Sequence, residues 1–297
     1  MVASHESLAI FGAGERRDRP LRVFVWLQRK PVGAVSMGII VVLALAAVFA
    51  GRIAPYDPLA QEYSAVLEAP SRHHVMGTDN LGRDILSRVI YGARISLAVG
   101  VVAVLIGTSL GTTIGVLSGF FGGALDLIIQ RVMDAWLAFP LIIFALGVLA
   151  ALGPGLPQTM LAVGVVSIPT TSRVIRGSVL AEKQRVYIEA ARAIGAGHLR
   201  IMLRHIVPNI AATVIVLASL TLARAVLTEA TLSFLGVGVP PPNPAWGSML
   251  SGKARDYMLS APWMAIWPGI FISLTVLSWN LLGDAVRDLL DPRLRNA

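Results

Sequence analysis

The sequence predicts an all-α protein that crosses a lipid bilayer six times. Of its 297 residues, 55% are hydrophobic and only 14% are charged, whereas soluble domains average about 25% charged residues. The hydrophobic residues also occur in charge-free stretches that match the ~20 residues a helix needs to span a bilayer core. So few charged residues cannot cover the surface of a water-soluble protein of this size. Part of the surface therefore faces lipid.

The charge-free stretches define the predicted helices. The first lies between Lys30 and Arg52, and the longest, 135–172, exceeds one span and contains the turn signal Gly153–Pro154–Gly155. We interpret this long stretch as parts of two helices joined by a short loop. A cleaved signal peptide is the alternative for the first stretch, but its apolar run is longer than the usual 7–15 residues. The predicted spans are 31–51, about 95–118, 128–152, 157–175, 209–229 and 262–284.

The basic residues predict the orientation of these spans. The tail 1–30 is rich in arginine, and the segment between the fourth and fifth spans contains Arg173, Arg176, Lys183, Arg185, Arg192, Arg200 and Arg204. Because Lys and Arg favour the cytoplasmic side, both termini, including the tail 286–297, are expected there. The segment 52–94 is then an external loop with an amphipathic part. This topology explains most of the net charge of +8, so a nucleic-acid partner is not needed.

The long cytoplasmic segment, 176–208, is too long for a simple connector. Its pattern predicts a helix from Leu180 to Ile194, a break at Gly195 and Gly197, and a second helix from His198 to Val207. An amphipathic helix on the membrane surface would explain part of this pattern. The small residues Ala190, Ala191, Ala193 and Gly195 instead favour close approach by another protein.

The same segment resembles the EAA signature of ABC-transporter permeases. Glu189–Ala190–Ala191 is followed after three residues by Gly195 and later by Ile206 and Pro208. In that family the segment forms a coupling helix that docks on the ATP-binding subunit. The resemblance therefore implies that Glu189, Ala190, Ala191, Gly195, Ile206 and Pro208 couple this chain to an ATPase.

Two further stretches resemble the dipeptide, oligopeptide and nickel group of these permeases, specifically the second of its two paired permeases. They are 76–97, with Met76–Gly77–Thr78–Asp79, and 229–247, with Leu232–Ser233–Phe234–Leu235–Gly236. The resemblance implies a type I ABC importer permease fold in a bacterial or archaeal inner membrane. It also implies a homologous second permease, two cytoplasmic ATPases that carry ATP and magnesium, and an external substrate-binding protein. No cofactor is then expected on this chain.

Arg224 and Glu229 are the notable charges near a span, because ionisable groups there usually face a cavity or a partner. Five residues place them roughly 140° apart on a helix, so they are not expected to pair with each other. We interpret both as possible residues of the translocation pathway. A position near the outer interface, where arginine can snorkel, is the alternative.

The glycines Gly107, Gly111 and Gly115 recur every four residues in the second span. Such a face of small residues permits close contact between helices. We expect it to pack within the helix bundle and not to line a pore.

No motif predicts catalysis or metal binding. The chain has no cysteine, and no hydrolase constellation occurs. His73 and His74 lie near Asp79 and Asp84, but adjacent histidines point in different directions, so a solvated loop pair is expected. The segment 247–253 resembles a phosphate-binding loop but has Ala254 where Ser or Thr should follow.

Two rival functions remain at this point. An ion-coupled secondary carrier would work without an ATPase, but it predicts acidic or broken-helix ion sites at mid-membrane, and no predicted span has Asp or Glu near its centre. A non-transporting scaffold would use the basic segment only for docking.

Overall fold

The computed structural model describes residues 31–290, with the side chains of Lys253 and Leu290 excepted. This part of the chain is helical and contains no β-strand, only one isolated bridge between Thr78 and Asp84. The predicted tail 1–30 and positions 291–297 lie outside the described residues. The helices are α1 (Pro31–Val48), α2 (Ala50–Ile53), α3 (Ile85–Phe121), α4 (Gly123–Leu137), α5 (Leu141–Leu152), α6 (Leu156–Lys183), α7 (Val186–Ala193), α8 (His198–Ile201), α9 (Val207–Phe234), α10 (Trp246–Met249), α11 (Lys253–Asp256) and α12 (Trp263–Leu290).

Four helical segments in 31–290 are long and apolar enough to cross a membrane: Pro31–Val48, Ile85–Phe121, His198–Phe234 and Trp263–Leu289. The pair α4 and α5 makes a fifth if the bent pair is one span. Helix α6 is long enough but more polar, since it contains several Ser and Thr residues and Pro169. Length and composition thus support four or five of the six predicted spans.

Helix α3 begins at Ile85, ten residues before the predicted start of its span. Asp84 caps it, since its Oδ2 accepts a hydrogen bond from Ser87 N at 2.7 Å. The prediction placed the start after Arg88 and Arg94 because charges normally lie outside a span. Arg88 is instead buried, with its Nη1 3.0 Å from Pro58 O and its Nε 3.6 Å from Asp79 Oδ2.

The predicted helix 128–152 is two helices, α4 and α5, bent by 93°. Pro140 lies at the bend as the residue before α5, and proline disfavours helical geometry in the residue before it. As predicted, the Gly153–Pro154–Gly155 turn separates α5 from α6. Three other helices extend at least five residues past their predicted ends: α6 continues past 175 to Lys183, α9 past 229 to Phe234 and α12 past 284 to Leu290. Leu180 to Lys183 therefore belong to the span helix and not to a separate cytoplasmic helix.

Helices α3 and α6 form the closest packed pair. A Cβ atom on Gly107, Gly111 or Gly115 would lie 1.8 Å from Ser167 Oγ, 2.7 Å from Thr171 Cβ and 2.6 Å from Ser172 O, respectively. These glycines therefore let the two backbones approach closely. The prediction that this face packs within the bundle is confirmed.

The buried apolar residues form three clusters along the bundle. The central cluster joins α3, α5, α6, α9 and α12 and includes Val99, Val226 and Trp246. A second cluster joins the ends of α3 and α6 to α7 and α8 through Ile175, Val179, Ile188, Ile201 and Ile206. The third joins the start of α3 to the segment before α12 through Ile85, Val89 and Ala261. The segment 186–206 is thus fixed to the bundle by its own apolar side chains.

Candidate translocation groove and coupling surface

A groove runs along α6 and α9, which we call the α6–α9 groove. Its narrow part has a volume of about 40 Å³ and is lined by Leu141, Val163, Val166, Ser167, Thr170, Thr221, Arg224, Ala225 and Thr228. Its wide part, about 400 Å³, is lined by Val174, Ala212, Thr213, Val216, Leu217, Leu220 and Arg287. The lining positions recur every three or four residues on both helices, so the two parts share one face of each helix.

The groove carries hydroxyl groups along its length. Thr170 and Thr221 make no side-chain hydrogen bond within residues 31–290, whereas Thr228 Oγ1 donates to Arg224 O at 2.8 Å. An apolar wall interrupted by hydroxyls and an arginine is unusual for a surface that faces lipid. The composition of the groove therefore fits a water-filled path or a protein partner.

Arg224 is exposed in the narrow part of the groove, and it makes no ion pair within the described part of the chain. It lies ten residues before Phe234, the last residue of α9, which is about 15 Å at the rise of an α-helix. Arg224 therefore lies well inside α9 and not at its end, where a snorkelling arginine would be expected. The placement agrees with a residue that faces a pathway or partner.

Glu229 does not share this placement. Its side chain is fully buried inside the bundle, where its Oε1 accepts a hydrogen bond from Ser233 Oγ at 2.8 Å. Ser233 Oγ also accepts a hydrogen bond from Val239 N at 3.2 Å. Glu229 therefore does not line the groove as predicted, because its face of α9 packs against α3. It holds the loop after α9 instead.

The segment 186–208 has a buried face and an exposed face. On α7, Ile188 and Ala191 are buried against the bundle, whereas Glu189 and Ala190 are exposed. Ile206 is fully buried, and Pro208 near the start of α9 is exposed. The motif residues thus divide into a set that anchors the segment and a set, Glu189, Ala190, Gly195 and Pro208, that remains accessible.

Gly195 ends α7 in a Schellman motif. Its φ is +82°, its own N–H donates to Arg192 O at 2.9 Å, and Ala196 N donates to Ala191 O at 3.0 Å. Glycine is favoured here because a Cβ atom strains this conformation. The predicted break at Gly195 is confirmed.

Large apolar side chains protrude around the exposed motif residues. Val186, Ile194, Leu199 and Leu203 have exposed fractions of 79%, 86%, 66% and 61%. Tyr187 links the segment to its neighbours, because its hydroxyl donates to Glu182 and accepts from Asn209 Nδ2 at 3.1 Å. Burial and the hydrogen bond to Glu182 raise the pKa of Tyr187 to about 12, so it stays neutral at physiological pH. An exposed apolar patch of this kind marks a contact with another protein or with the membrane.

Comparison with known proteins identifies the family. Residues 111–296 match the family described as the binding-protein-dependent transport system inner membrane component, and residues 23–70 match the N-terminal transmembrane domain of oligopeptide transport permease C. The first match covers more than half of the chain. The chain belongs to this permease family.

Similar proteins and a similar structure agree with this family. The permease is 45% identical to the glutathione transport system permease protein GsiD of Pectobacterium atrosepticum, over 89% of this chain and 88% of that protein. It is 44% identical to GsiD of Escherichia coli O6:K15:H31, over 90% and 88% of the two chains. A chain of the inward-facing MetNI methionine ABC transporter is similar in fold, with a TM-score of 0.54, 19% identity, and coverage of 68% of this chain and 97% of that one. The protein is a permease subunit of an ATP-driven importer, and this family argues against an ion-coupled carrier.

Directly before α3, the permease has a cluster of buried polar side chains that the sequence did not predict. His74 is 5% exposed, and its Nδ1 lies 3.0 Å from Asp84 Oδ1. The expectation of a solvated histidine pair is therefore wrong for His74, although His73 is exposed. The described residues contain no group of three or more possible metal ligands. Only the proximity of the histidines to Asp84 in the sequence signalled this cluster.

At the start of the segment 247–253, Trp246 and Gly247 are packed closely within the bundle. Trp246 is fully buried and donates from Nε1 to Val89 O at 2.9 Å. A Cβ atom on Gly247 would lie 2.2 Å from Ala230 O. The glycine therefore serves the close packing of α10 on α9, and the resemblance to a phosphate-binding loop is incidental.

A cluster of polar residues joins α4 to the rest of the bundle. Arg176 Nε donates to Asp126 Oδ1 at 2.6 Å, and Asp126 also accepts from Ser118. Lys183 Nζ donates to Phe120 O at 2.6 Å, at the C-terminal end of α3. These bonds connect the C-terminal end of α6 to α3 and α4.

Proposed function

We propose that the importer takes up glutathione or a similar small peptide. The observation that carries this proposal is the 45% identity to glutathione transport permeases across 89% of the chain. The match of residues 23–70 to an oligopeptide permease domain supports the same substrate class. Both point to a small peptide that bears carboxylates.

The proposed topology has six spans in a bacterial inner membrane, with both termini in the cytoplasm. The spans are α1, α3, the bent pair α4–α5, α6, α9 and α12. The basic residues of the tail 1–30 and of the segment 176–208 support this orientation. The polar character of α6 is compatible with a span because its small residues pack on α3 and its hydroxyls face the groove.

The α6–α9 groove is proposed as this chain's half of the translocation pathway. Its face includes Arg224 and unpaired threonine hydroxyls, which would be costly against lipid. A homologous second permease would supply the other half. An external substrate-binding protein would deliver the solute to the outer end.

The exposed face of α7 and α8 is proposed to dock on one of two cytoplasmic ATPases. Its contact residues include Glu189, Ala190, Gly195 and Pro208, while the buried Ala191 and Ile206 transmit movement to the bundle. ATP and magnesium would be bound by the ATPases. This chain would be non-catalytic and would carry no cofactor.

Uptake by the reconstituted complex tests the proposed function. The two permeases, the ATPases and the binding protein are incorporated in liposomes, and radiolabelled glutathione is supplied outside with ATP inside. We expect accumulation that requires both ATP and the ATPases. Uptake without the ATPases would instead support a secondary carrier, and an absence of glutathione uptake would refute the proposed substrate.

A further inference from the structure

The charges that line the α6–α9 groove are all positive. Among the lining residues of its two parts, Arg224 and Arg287 are the charged side chains, and neither part is lined by Asp or Glu. The remaining polar groups are hydroxyls of serine and threonine. Such a lining attracts an anion and repels a cation.

Arg224 is placed to contact a solute in the smaller cavity of the groove. This cavity has a volume of about 40 Å³, whereas the cavity beside Arg287 has about 400 Å³. The guanidinium group makes no ion pair within residues 31–290. Thr170 and Thr221 line the same narrow part with hydroxyls that are also free within that range.

We infer that Arg224 binds the carboxylate of the solute as it passes the narrow part of the groove. An unpaired guanidinium inside a membrane-spanning helix is costly, and a carboxylate can satisfy it through two parallel hydrogen bonds. The hydroxyls of Thr170 and Thr221 donate hydrogen bonds to, or accept them from, the other polar groups of a peptide. The site thus selects small peptides with a free carboxylate. This inference rests on the proposed function and specifies the chemistry of its substrate.

The inference concerns selectivity, so two solutes of different charge are compared. Uptake of glutathione and of glutathione diethyl ester, in which both carboxylates are blocked, is measured in liposomes with the complete importer. The binding protein is saturated with each solute, as verified by separate binding measurements. Differences in rate then reflect translocation.

For the wild-type complex we expect faster uptake of the free acid than of the ester. Arg224→Met keeps an unbranched apolar side chain but removes the guanidinium group and its charge. It should slow glutathione at least about tenfold, as expected for the loss of a charge-assisted hydrogen bond, and should bring the two rates close together. Arg224→Lys should retain most of the preference because it keeps the charge.

Arg173→Met is the matched control. Arg173 also lies on a long helix but pairs with Asp134 and does not line the groove. It should leave the ratio of the two rates unchanged. An unchanged ratio of the two rates in Arg224→Met, with or without slower uptake of both solutes, would overturn the inference. Failure of the wild-type complex to transport either solute would instead refute the proposed substrate, and this inference with it.

Discussion

At the scale of single residues, the two adjacent histidines provide a sharp contrast. His74 is buried and bonded to Asp84, which also caps α3, whereas the side chain of His73 is exposed. His74→Ala should lower the thermal unfolding temperature of the purified permease, because Asp84 loses a buried partner worth about 1–3 kcal/mol. His73→Ala should change stability by less than about 0.5 kcal/mol. Equal effects of the two variants on thermal unfolding in detergent would contradict this placement.

Glu229 acts through its hydrogen bond to Ser233, and no cation pairs with it within residues 31–290. Glu229→Gln keeps an acceptor for Ser233, so we expect near wild-type stability. Glu229→Leu removes the acceptor and should destabilise by about 1–3 kcal/mol. Limited proteolysis of the loop after α9, together with thermal unfolding, measures both effects. If Glu229→Gln destabilised the permease as much as Glu229→Leu, the negative charge of Glu229 itself would be required for stability.

At the scale of helices, the glycine face of α3 is tested by adding single methyl groups. Gly111→Ala places a Cβ atom 2.7 Å from Thr171 Cβ and should force α3 and α6 apart, with a cost of about 1–3 kcal/mol. Gly147→Ala in α5 meets nothing within 4 Å, and should be neutral or stabilising by up to about 1 kcal/mol. Unfolding temperatures of the two variants provide the comparison. A tolerated Gly111→Ala would mean that the helices can separate freely.

Helix α7 offers an exposed residue for testing the coupling surface. Glu189→Arg reverses a charge that makes no ion pair within the described residues, so the fold should be preserved. If this face docks on an ATPase, uptake per ATP hydrolysed should decrease at least severalfold, because reversing a charge within an interface disrupts its electrostatic complementarity. Uptake and ATP hydrolysis are measured together in proteoliposomes. The control Arg131→Glu reverses another exposed charge, on α4, and should leave the ratio unchanged.

The helices show which features a sequence can predict. Long apolar runs predicted α1, α9 and α12 because a span is a local property of composition. The start of α3 was missed because Arg88 is buried through an ion pair with Asp79 and a hydrogen bond to Pro58 O, and the loop that holds Pro58 lies thirty residues earlier. The α6–α9 groove could not be predicted either, because it depends on which faces of two helices are left uncovered when they pack. Contacts between different parts of the chain thus limited the prediction of both the helix bounds and the groove.

At the scale of the whole molecule, the orientation in the membrane can be tested because the chain has no cysteine. A single introduced cysteine is then the only target for a membrane-impermeant maleimide. Tyr63→Cys and Leu199→Cys replace side chains that are 79% and 66% exposed, on the proposed outer and cytoplasmic sides. We expect Tyr63→Cys to react in intact spheroplasts. Leu199→Cys should react only in inverted vesicles that lack the ATPases.

The Leu199→Cys variant also tests whether the ATPases bind to the exposed face of α7 and α8. Adding the ATPases to the inverted vesicles should slow labelling of Leu199→Cys, because the exposed apolar face of α7 and α8 becomes covered. The permease without an introduced cysteine is the control for reaction of the maleimide with other proteins. Labelling of Leu199→Cys in intact spheroplasts would reverse the proposed orientation. If labelling in inverted vesicles were unchanged by the ATPases, the orientation would stand but the docking surface would lie elsewhere.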